Sequence, residues 1–392
     1  MASFPVKRPD LSYTKWEIFN SPIITCNNLF RLIAEKDIIL HTPYESYGSV
    51  LRFFNEAAID ENVTEIYTTM YRIAGDSKIG NALISAAKNG KKVAVFVELK
   101  ARFDEENNLN WAKRMKAAGV KIIYSIPLLK VHAKVALVKT KKGVREIPFA
   151  LFSTGNFNES TARFYTDHIL FTRHSGMLRE LEMLFIFLSY RRKPFSVNEI
   201  SFHHLLVAQF NLQQCFLDLI EREIAHAKEG RPASITIKLN NLEERKLISK
   251  LYEASNAGVR VNLIVRSICC LVPGVENMSE HITVTRIVDR YLEHGRIFIF
   301  HNNGNDDMWL GSADWMNRNI YRRVEVCFPV YDVAIKEEIM QMIQLQLNDN
   351  VQAVYIDGDL NNERRPLSSE LVRSQQDITE FLSARENEIK AL

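Results

Sequence analysis

Short apolar runs alternate along the first third of this chain with segments whose apolar residues return every three or four positions. That spacing predicts strands over 38–43, 64–71 and 93–99, and helices over 50–58 and 78–89 between them. Strands alternating with helices argue for a layered α/β fold with a mostly parallel sheet. The run 130–138 alternates in the period of a strand, so His132 and Lys134 are expected on one face, about 7 Å apart. After a basic hairpin over 139–145, a second strand is expected over 149–152, ending in Ser153-Thr154-Gly155-Asn156-Phe157-Asn158. A turn of that composition at a strand end brings backbone N–H groups and short polar side chains towards an anion.

Further along, a helix over 177–190 closes a first unit, and the basic stretch 191–195 reads as a linker. A helix over 212–230 opens a second unit, with strands near 235–239, 261–266 and 351–355. The expected organisation is a leader at 1–20, two catalytic α/β domains at 21–198 and 199–358, and a polar tail at 359–392. That tail lacks a clear apolar face until its end and is expected to be partly mobile.

The two units repeat one another. Ala87 to Val97 and Ser255 to Val265 both read as a helix end, a glycine stop and a buried strand. His132 with Lys134 answers to His294 with Arg296, and the turn at Ser153 answers to Gly311-Ser312-Ala313-Asp314-Trp315-Met316. Eleven residues after Asn156 stands Asp167, and eleven after Asp314 stands Glu325. A carboxylate returning on a neighbouring element can hold one imidazole nitrogen and leave the other nucleophilic. A lone histidine in a half-buried strand is ordinarily structural, and His41, beside the turn at 44–49, is read that way; two such series in one chain argue for chemistry.

Charge changes this picture little. Fifty Lys and Arg against 47 Asp and Glu leave +3, so any anion site must be built by local convergence of cations. Arg72, Arg102, Arg266 and Arg323 each follow or flank a strand end that carries a motif, and the guanidinium fork suits phosphate oxygens. No P-loop and no Gly-x-Gly-x-x-Gly stretch occurs, and no nucleic-acid reading motif is recognisable. Five cysteines without metal or disulfide spacing fit a reducing compartment, and no apolar run is long enough to span a bilayer. The cytoplasm is the expected location, with peripheral membrane association as an alternative.

Duplicated His-x-Lys units followed by such turns resemble the phospholipase D superfamily. Arg296 in place of a second Lys, and Lys139 where that superfamily has an aspartate, depart from it. The variant pattern resembles polyphosphate kinase of the large, histidine-phosphorylated type, through Met70-Tyr71-Arg72-Ile73-Ala74, the stretch 97–106, the stretch 153–167, the stretch 287–294 and Ser312 to Met316. The likeness runs from about residue 15 to about residue 357 and corresponds to the family's C-terminal catalytic half.

The resemblance implies two tandem phospholipase D-like domains that transfer the terminal phosphate of ATP reversibly to inorganic polyphosphate. It assigns the phosphorylated nucleophile to His132, an acid/base or ATP-contacting role to His294 with Arg266, and adenine stacking to Tyr165. Lys134 and Asn156 are expected on the transferred phosphoryl, and Asp167 and Glu325 as orienting carboxylates. The family's Mg²⁺ positions fall on Arg72 and Arg102; guanidinium cannot ligate a hard cation, so these are expected to hold phosphates that in turn hold the metal. A phosphodiesterase and a non-catalytic polyphosphate-binding piece remain alternatives, and homo-oligomerisation is left open.

Overall fold

The computed structural model describes residues 16, 18, 28–98, 104–126, 129–366 and 369–391. The first half contains α1 (Leu29–Glu35), β1 (Ile38–Thr42), α2 (Gly48–Ile59), β2 (Val63–Met70), α3 (Lys78–Lys88), β3 (Lys92–Val97), α4 (Glu105–Ala117), β4 (Lys121–Tyr124), β5 (Lys130–Val131), β6 (Lys134–Lys142), β7 (Arg145–Ser153), β8 (Tyr165–Thr172) and α5 (Ser175–Ser189). The second contains β9 (Leu206–Val207), α6 (Leu212–Lys228), β10 (Ser234–Leu239), α7 (Arg245–Asn256), β11 (Arg260–Val265), β12 (Ile282–Ile287), β13 (Leu292–Glu293), β14 (Arg296–Phe300), β15 (Asp307–Gly311), α8 (Asn317–Arg322), β16 (Arg323–Val324), β17 (Val326–Pro329), α9 (Val333–Asn348), β18 (Ala353–Ile356), β19 (Asn362–Arg364) and α10 (Ser374–Ala391).

The sheets are mixed, not mostly parallel. In the first, along the order β1-β8-β7-β6-β2-β3-β4, the neighbours β2–β3 and β3–β4 run parallel and the other pairs antiparallel. In the second, ordered β19-β18-β12-β11-β10-β14-β15-β17-β9, only β10–β11 and β11–β12 do. Helical crossovers enforce parallel pairing only where the chain alternates strand and helix; the hairpins β6–β7 and β14–β15 return directly and pair antiparallel.

The two sheets share one core. Ile39, Phe96, Leu137, Phe152 and Leu170 of the first meet Ile297, Leu310 and Phe328 of the second, with α5 and α9 filling the space beside them. The Phe152 and Phe328 rings lie 5.3 Å apart. On the outer faces α1 to α4 cover the first sheet and α6 and α7 the second.

Strands also cross between halves. β13 of the second half pairs parallel with β8 of the first, Leu292 opposite Tyr165 and Glu293 opposite Thr166. β5 of the first pairs parallel with β16 of the second, Lys130 opposite Arg323 and Val131 opposite Val324. The expected single strand over 130–138 is therefore two. His132 and Ala133 interrupt it, both donating their N–H to the Val324 carbonyl, at 2.9 and 3.0 Å.

Nor is the chain after 359 a free polar tail. α10 seats Ile378 and Leu382 against Tyr44 and Met342, and both are buried. A few apolar residues, Ile378, Phe381 and Leu382, on a largely polar helix give little hydropathy signal, and polar contacts complete the seat.

Candidate active site

His132 stands where the chain passes from the short sheet into the large one, and only 8 % of its surface is exposed. Its Nδ1 lies 2.8 Å from Oε2 of Glu325 in the second half. Glu325 is wholly buried and also accepts from Ser312 Oγ at 2.5 Å and Asn319 Nδ2 at 2.6 Å. Tyr71 meets the imidazole edge-on, centroids 4.6 Å apart. With Nδ1–H donated to Glu325, Nε2 keeps its lone pair, and Lys134 Nζ lies beside the ring, 2.9 Å from Nδ1 and 3.1 Å from Nε2.

The second histidine is built the same way from the opposite halves. His294 Nδ1 lies 2.8 and 3.0 Å from the two oxygens of Asp167. Asp167 accepts from Thr154 Oγ1 at 2.7 Å, and Thr166 Oγ1 accepts the His294 backbone N–H at 3.2 Å. Thr154 precedes Asp167 by thirteen residues and Ser312 precedes Glu325 by thirteen, so the supporting hydroxyls belong to the repeat as well. The Tyr165 ring lies 4.8 Å from the His294 ring.

Each carboxylate thus serves the histidine of the other half. The strand exchange causes it: β5 leads into His132 beside β16, which leads into Glu325, and β13 leads into His294 beside β8, which carries Asp167.

Burial is the main reason that His132 is held down to about 3, with Lys134 and Arg323 adding to it and Glu325 opposing. Burial alone would raise the Glu325 carboxyl, but His132, Lys134 and Arg323 outweigh it and hold it at about 2. His294 is lowered by burial and by Arg296, against the pull of Asp167. Burial also pushes the Lys134 ammonium well below its ordinary range, with Arg296 and Arg323 adding to it against Glu325. The site therefore presents two neutral imidazoles, each backed by an ionised carboxylate.

The cations differ between halves. Arg296 is committed, its Nε 3.1 Å and Nη2 3.3 Å from the oxygens of Asp314. Asp314 in turn accepts from the Asn240 N–H at 2.9 Å and is held at about 2, Arg296 overcoming the effect of burial. At the equivalent places stand Lys134 and Asn156. Among the described residues no carboxylate lies within ion-pair distance of Lys134, and the buried Asn156 Oδ1 has no hydrogen-bond partner.

Arg323 lies 3.7 Å from Glu325, and Arg72 pairs with Asp104 at 3.1 Å. Arg266 is half-buried, lowered by burial and by Arg296, and feels Asp314 and Tyr165, so it belongs to the His294 side. Arg102 lies outside the described residues. His41 is buried behind the site, its ring nitrogens 2.7 Å from His168 and 2.8 Å from Glu338. Lys139 is taken up by Glu65, Glu146 and Glu182. Sequence reasoning missed Tyr71, Thr154, Ser312 and Asn319; the shared thirteen-residue interval was the available signal for Thr154 and Ser312.

Residues 28–194 match the family model described as polyphosphate kinase C-terminal domain 1, and residues 205–376 match polyphosphate kinase C-terminal domain 2. The chain belongs to the polyphosphate kinase family. A polyphosphate kinase of Salmonella typhimurium is 43% identical over 360 residues, covering 92% of this chain and 52% of that protein. That of Halalkalibacterium halodurans is 48% identical over 327 residues, covering 83% of this chain and 46% of that protein. The chain spans about half the length of the curated relatives it matches.

A crystal structure of polyphosphate kinase from Porphyromonas gingivalis superposes with a TM-score of 0.90 at 43% identity, over 97% of this chain and 58% of that one. Phosphatidylserine synthase of Haemophilus influenzae shares the fold alone, with a TM-score of 0.56 at 12% identity, over 91% of this chain and 94% of that one. The expected tandem of two α/β halves is thus the fold that this chain shares with that polyphosphate kinase. Among the described residues no helix is long and apolar enough to cross a membrane.

Proposed function

We propose that this chain transfers the terminal phosphoryl group of ATP to inorganic polyphosphate, reversibly, by way of a phosphohistidine at His132. The observation that carries the reading is the asymmetry between equivalent cations: Arg296 is tied to Asp314, whereas Lys134, with no carboxylate partner among the described residues, lies beside a neutral, carboxylate-backed imidazole.

When a phosphate chain enters, Lys134 Nζ meets one of its oxygens. Nε2 attacks the γ-phosphorus, the N–P bond forms, and the P–O bond to the β-phosphate breaks with its electron pair leaving on ADP. The imidazolium charge that develops is met by Glu325 through Nδ1–H. A terminal oxygen of polyphosphate then attacks the same phosphorus, and the N–P bond returns its pair to Nε2. His294, backed by Asp167, exchanges a proton with the departing or arriving phosphate, a role usually worth roughly 10²–10⁴-fold. Tyr165 offers a face for adenine, and Arg72, Arg266, Arg323 and Asn156 offer the donors that phosphate oxygens require.

Magnesium is a family expectation. Among the described residues no three His, Cys, Asp or Glu side chains are grouped to hold a metal ion, and both site carboxylates are committed to histidines. The donor set does not fit direct ligation, which leaves phosphate oxygens as the metal's ligands, and no step above depends on it. We place the reaction in the cytoplasm.

Incubation with γ-³²P-ATP and Mg²⁺, with His132→Ala and His294→Ala alongside, tests the reading. Expected is an acid-labile, alkali-stable label that polyphosphate discharges and that His132→Ala lacks. Label persisting in His132→Ala overturns the nucleophile. No label in any protein overturns catalysis by this chain in favour of a polyphosphate-binding role.

A further inference from the structure

The repeat sets Val131 and Glu293 at equivalent positions, each immediately before its histidine, and the structure treats them in opposite ways. Val131 packs in the shared apolar core. Glu293 is a carboxylate only 2 % exposed, and a buried charge needs partners. It has four: Lys238 Nζ at 2.5 Å, Thr166 Oγ1 at 3.0 Å, Gln346 Nε2 at 3.1 Å, and Gln375 Nε2 at 2.7 Å.

Gln375 stands out among these because it does more than meet the carboxylate. Fully buried in the first turn of α10, it also accepts the Tyr291 N–H at 2.8 Å on Oε1 and donates from Nε2 to the Tyr291 carbonyl at 2.9 Å. One side-chain amide thereby pairs with residue 291 as a neighbouring strand would, and it grips residue 293 as well. The two residues of β13 separate Tyr291 from His294, and β13 fixes the registry with β8 that brings His294 to Asp167. In the first half, among the described residues, β5 leads to His132 through the apolar packing of Val131 and pairing with β16.

We propose that Gln375 is a positioning residue for His294. The C-terminal helix carries it into the site's rear, where it sets the backbone at 291–293 and the Glu293 carboxylate so that the imidazole meets Asp167 with one nitrogen and the substrate with the other. Its catalytic consequence rests on the phosphotransfer reading above; its structural consequence does not.

The test uses the full chain in three variants. Gln375→Met keeps the volume and removes both hydrogen-bonding atoms, Gln375→Asn keeps the amide but withdraws it by one methylene, and Leu382→Ala opens a cavity on the same helix while leaving Gln375 in place. In ¹⁵N-histidine-labelled protein, with the signal assigned by His294→Ala, both Gln375 variants are expected to shift the His294 ring nitrogens, and Leu382→Ala to leave them unmoved. In the coupled assay both lower kcat by about 10–100-fold, with KM for ATP within about twofold, while Leu382→Ala lowers Tm and leaves kcat within about twofold.

His294 signals unchanged in both folded Gln375 variants overturn the proposal. So does a Leu382→Ala variant with the same signal shift and the same loss of kcat, which would make the effect one of helix docking. If the unmodified chain shows no phosphotransfer, the functional reading fails and the nitrogen signals still decide the positioning role.

Discussion

Glu325 of the second half lies 2.8 Å from Nδ1 of His132 in the first, while Asp167 of the first half holds His294 of the second at the same distance. Neither half therefore contains a complete histidine–carboxylate pair. The exchange makes the two halves obligatory to each other and ties the orientation of both imidazoles to the shared core between the sheets.

Crossed pairing predicts which carboxylate controls which histidine. Glu325→Gln is expected to slow phosphorylation of His132 by roughly 10²–10⁴-fold, since a neutral amide neither fixes the Nδ1–H tautomer nor meets the imidazolium. Asp167→Asn is expected to leave the ¹⁵N signals of His132 in place and to move those of His294. Signals of His132 that respond to Asp167→Asn and ignore Glu325→Gln would restore pairing within each half.

The sequence made this partly legible. Spacing from turn to carboxylate is the same in both halves, Asn156 to Asp167 and Asp314 to Glu325, because Asp167 on β8 and Glu325 between β16 and β17 each return beside their turn. What spacing cannot carry is which imidazole each carboxylate meets, since that depends on β5 pairing with β16 almost two hundred residues away. For the same reason the alternation of Val131, His132, Ala133 and Lys134 reads as one strand: the partner that breaks it, the Val324 carbonyl, is remote. The basis of α10's docking was hidden differently. Its anchors include the buried Gln375 and the partly buried Arg385, the latter bonded to Glu45 at 3.2 Å and to Glu338, and polar anchors are invisible to a hydropathy pattern.

A second prediction concerns pH. Histidine in an unfolded chain titrates near 6.5, and folded His132 is held down to about 3 by burial, with Lys134 and Arg323 adding to it against Glu325. Between those values the unfolded chain binds a proton that the folded one does not, so stability contributed by neutral His132 is complete above about pH 6.5 and is lost progressively as pH falls towards 3. Glu325 acts in the same direction lower down, contributing above its unfolded value near 4.5 and losing its contribution as pH falls through about 2. Expected, then, is a His132 that stays neutral from pH 8 to pH 5 by ¹⁵N titration, with single-turnover labelling showing no midpoint near 6.5 that belongs to it. A His132 midpoint between 6 and 7 would show that its burial is relieved in solution.

The last prediction turns on a difference of one methylene between the halves. A Cβ placed on Gly155 would fall 2.0 Å from Oδ2 of Asp167 and 2.2 Å from its Cγ, a distance no real contact tolerates. Asp167 cannot yield without cost, because Thr154 holds it on one side and His294 on the other. At the equivalent places the second half has Ala313 and Glu325: where the residue on the turn carries a methyl group, the carboxylate is carried one methylene further out. Gly155→Ala is therefore expected to cost about 1–3 kcal/mol in stability, as overpacking does, and to displace Asp167 from His294. Copying the other half's pair should repair it. The double variant Gly155→Ala with Asp167→Glu is expected to recover both thermal stability and the His294 ring-nitrogen signals relative to Gly155→Ala alone, a coupling that a double-mutant cycle reads directly. Strictly additive losses in the two substitutions would mean that the close approach of Gly155 to Asp167 does not govern how the histidine is held.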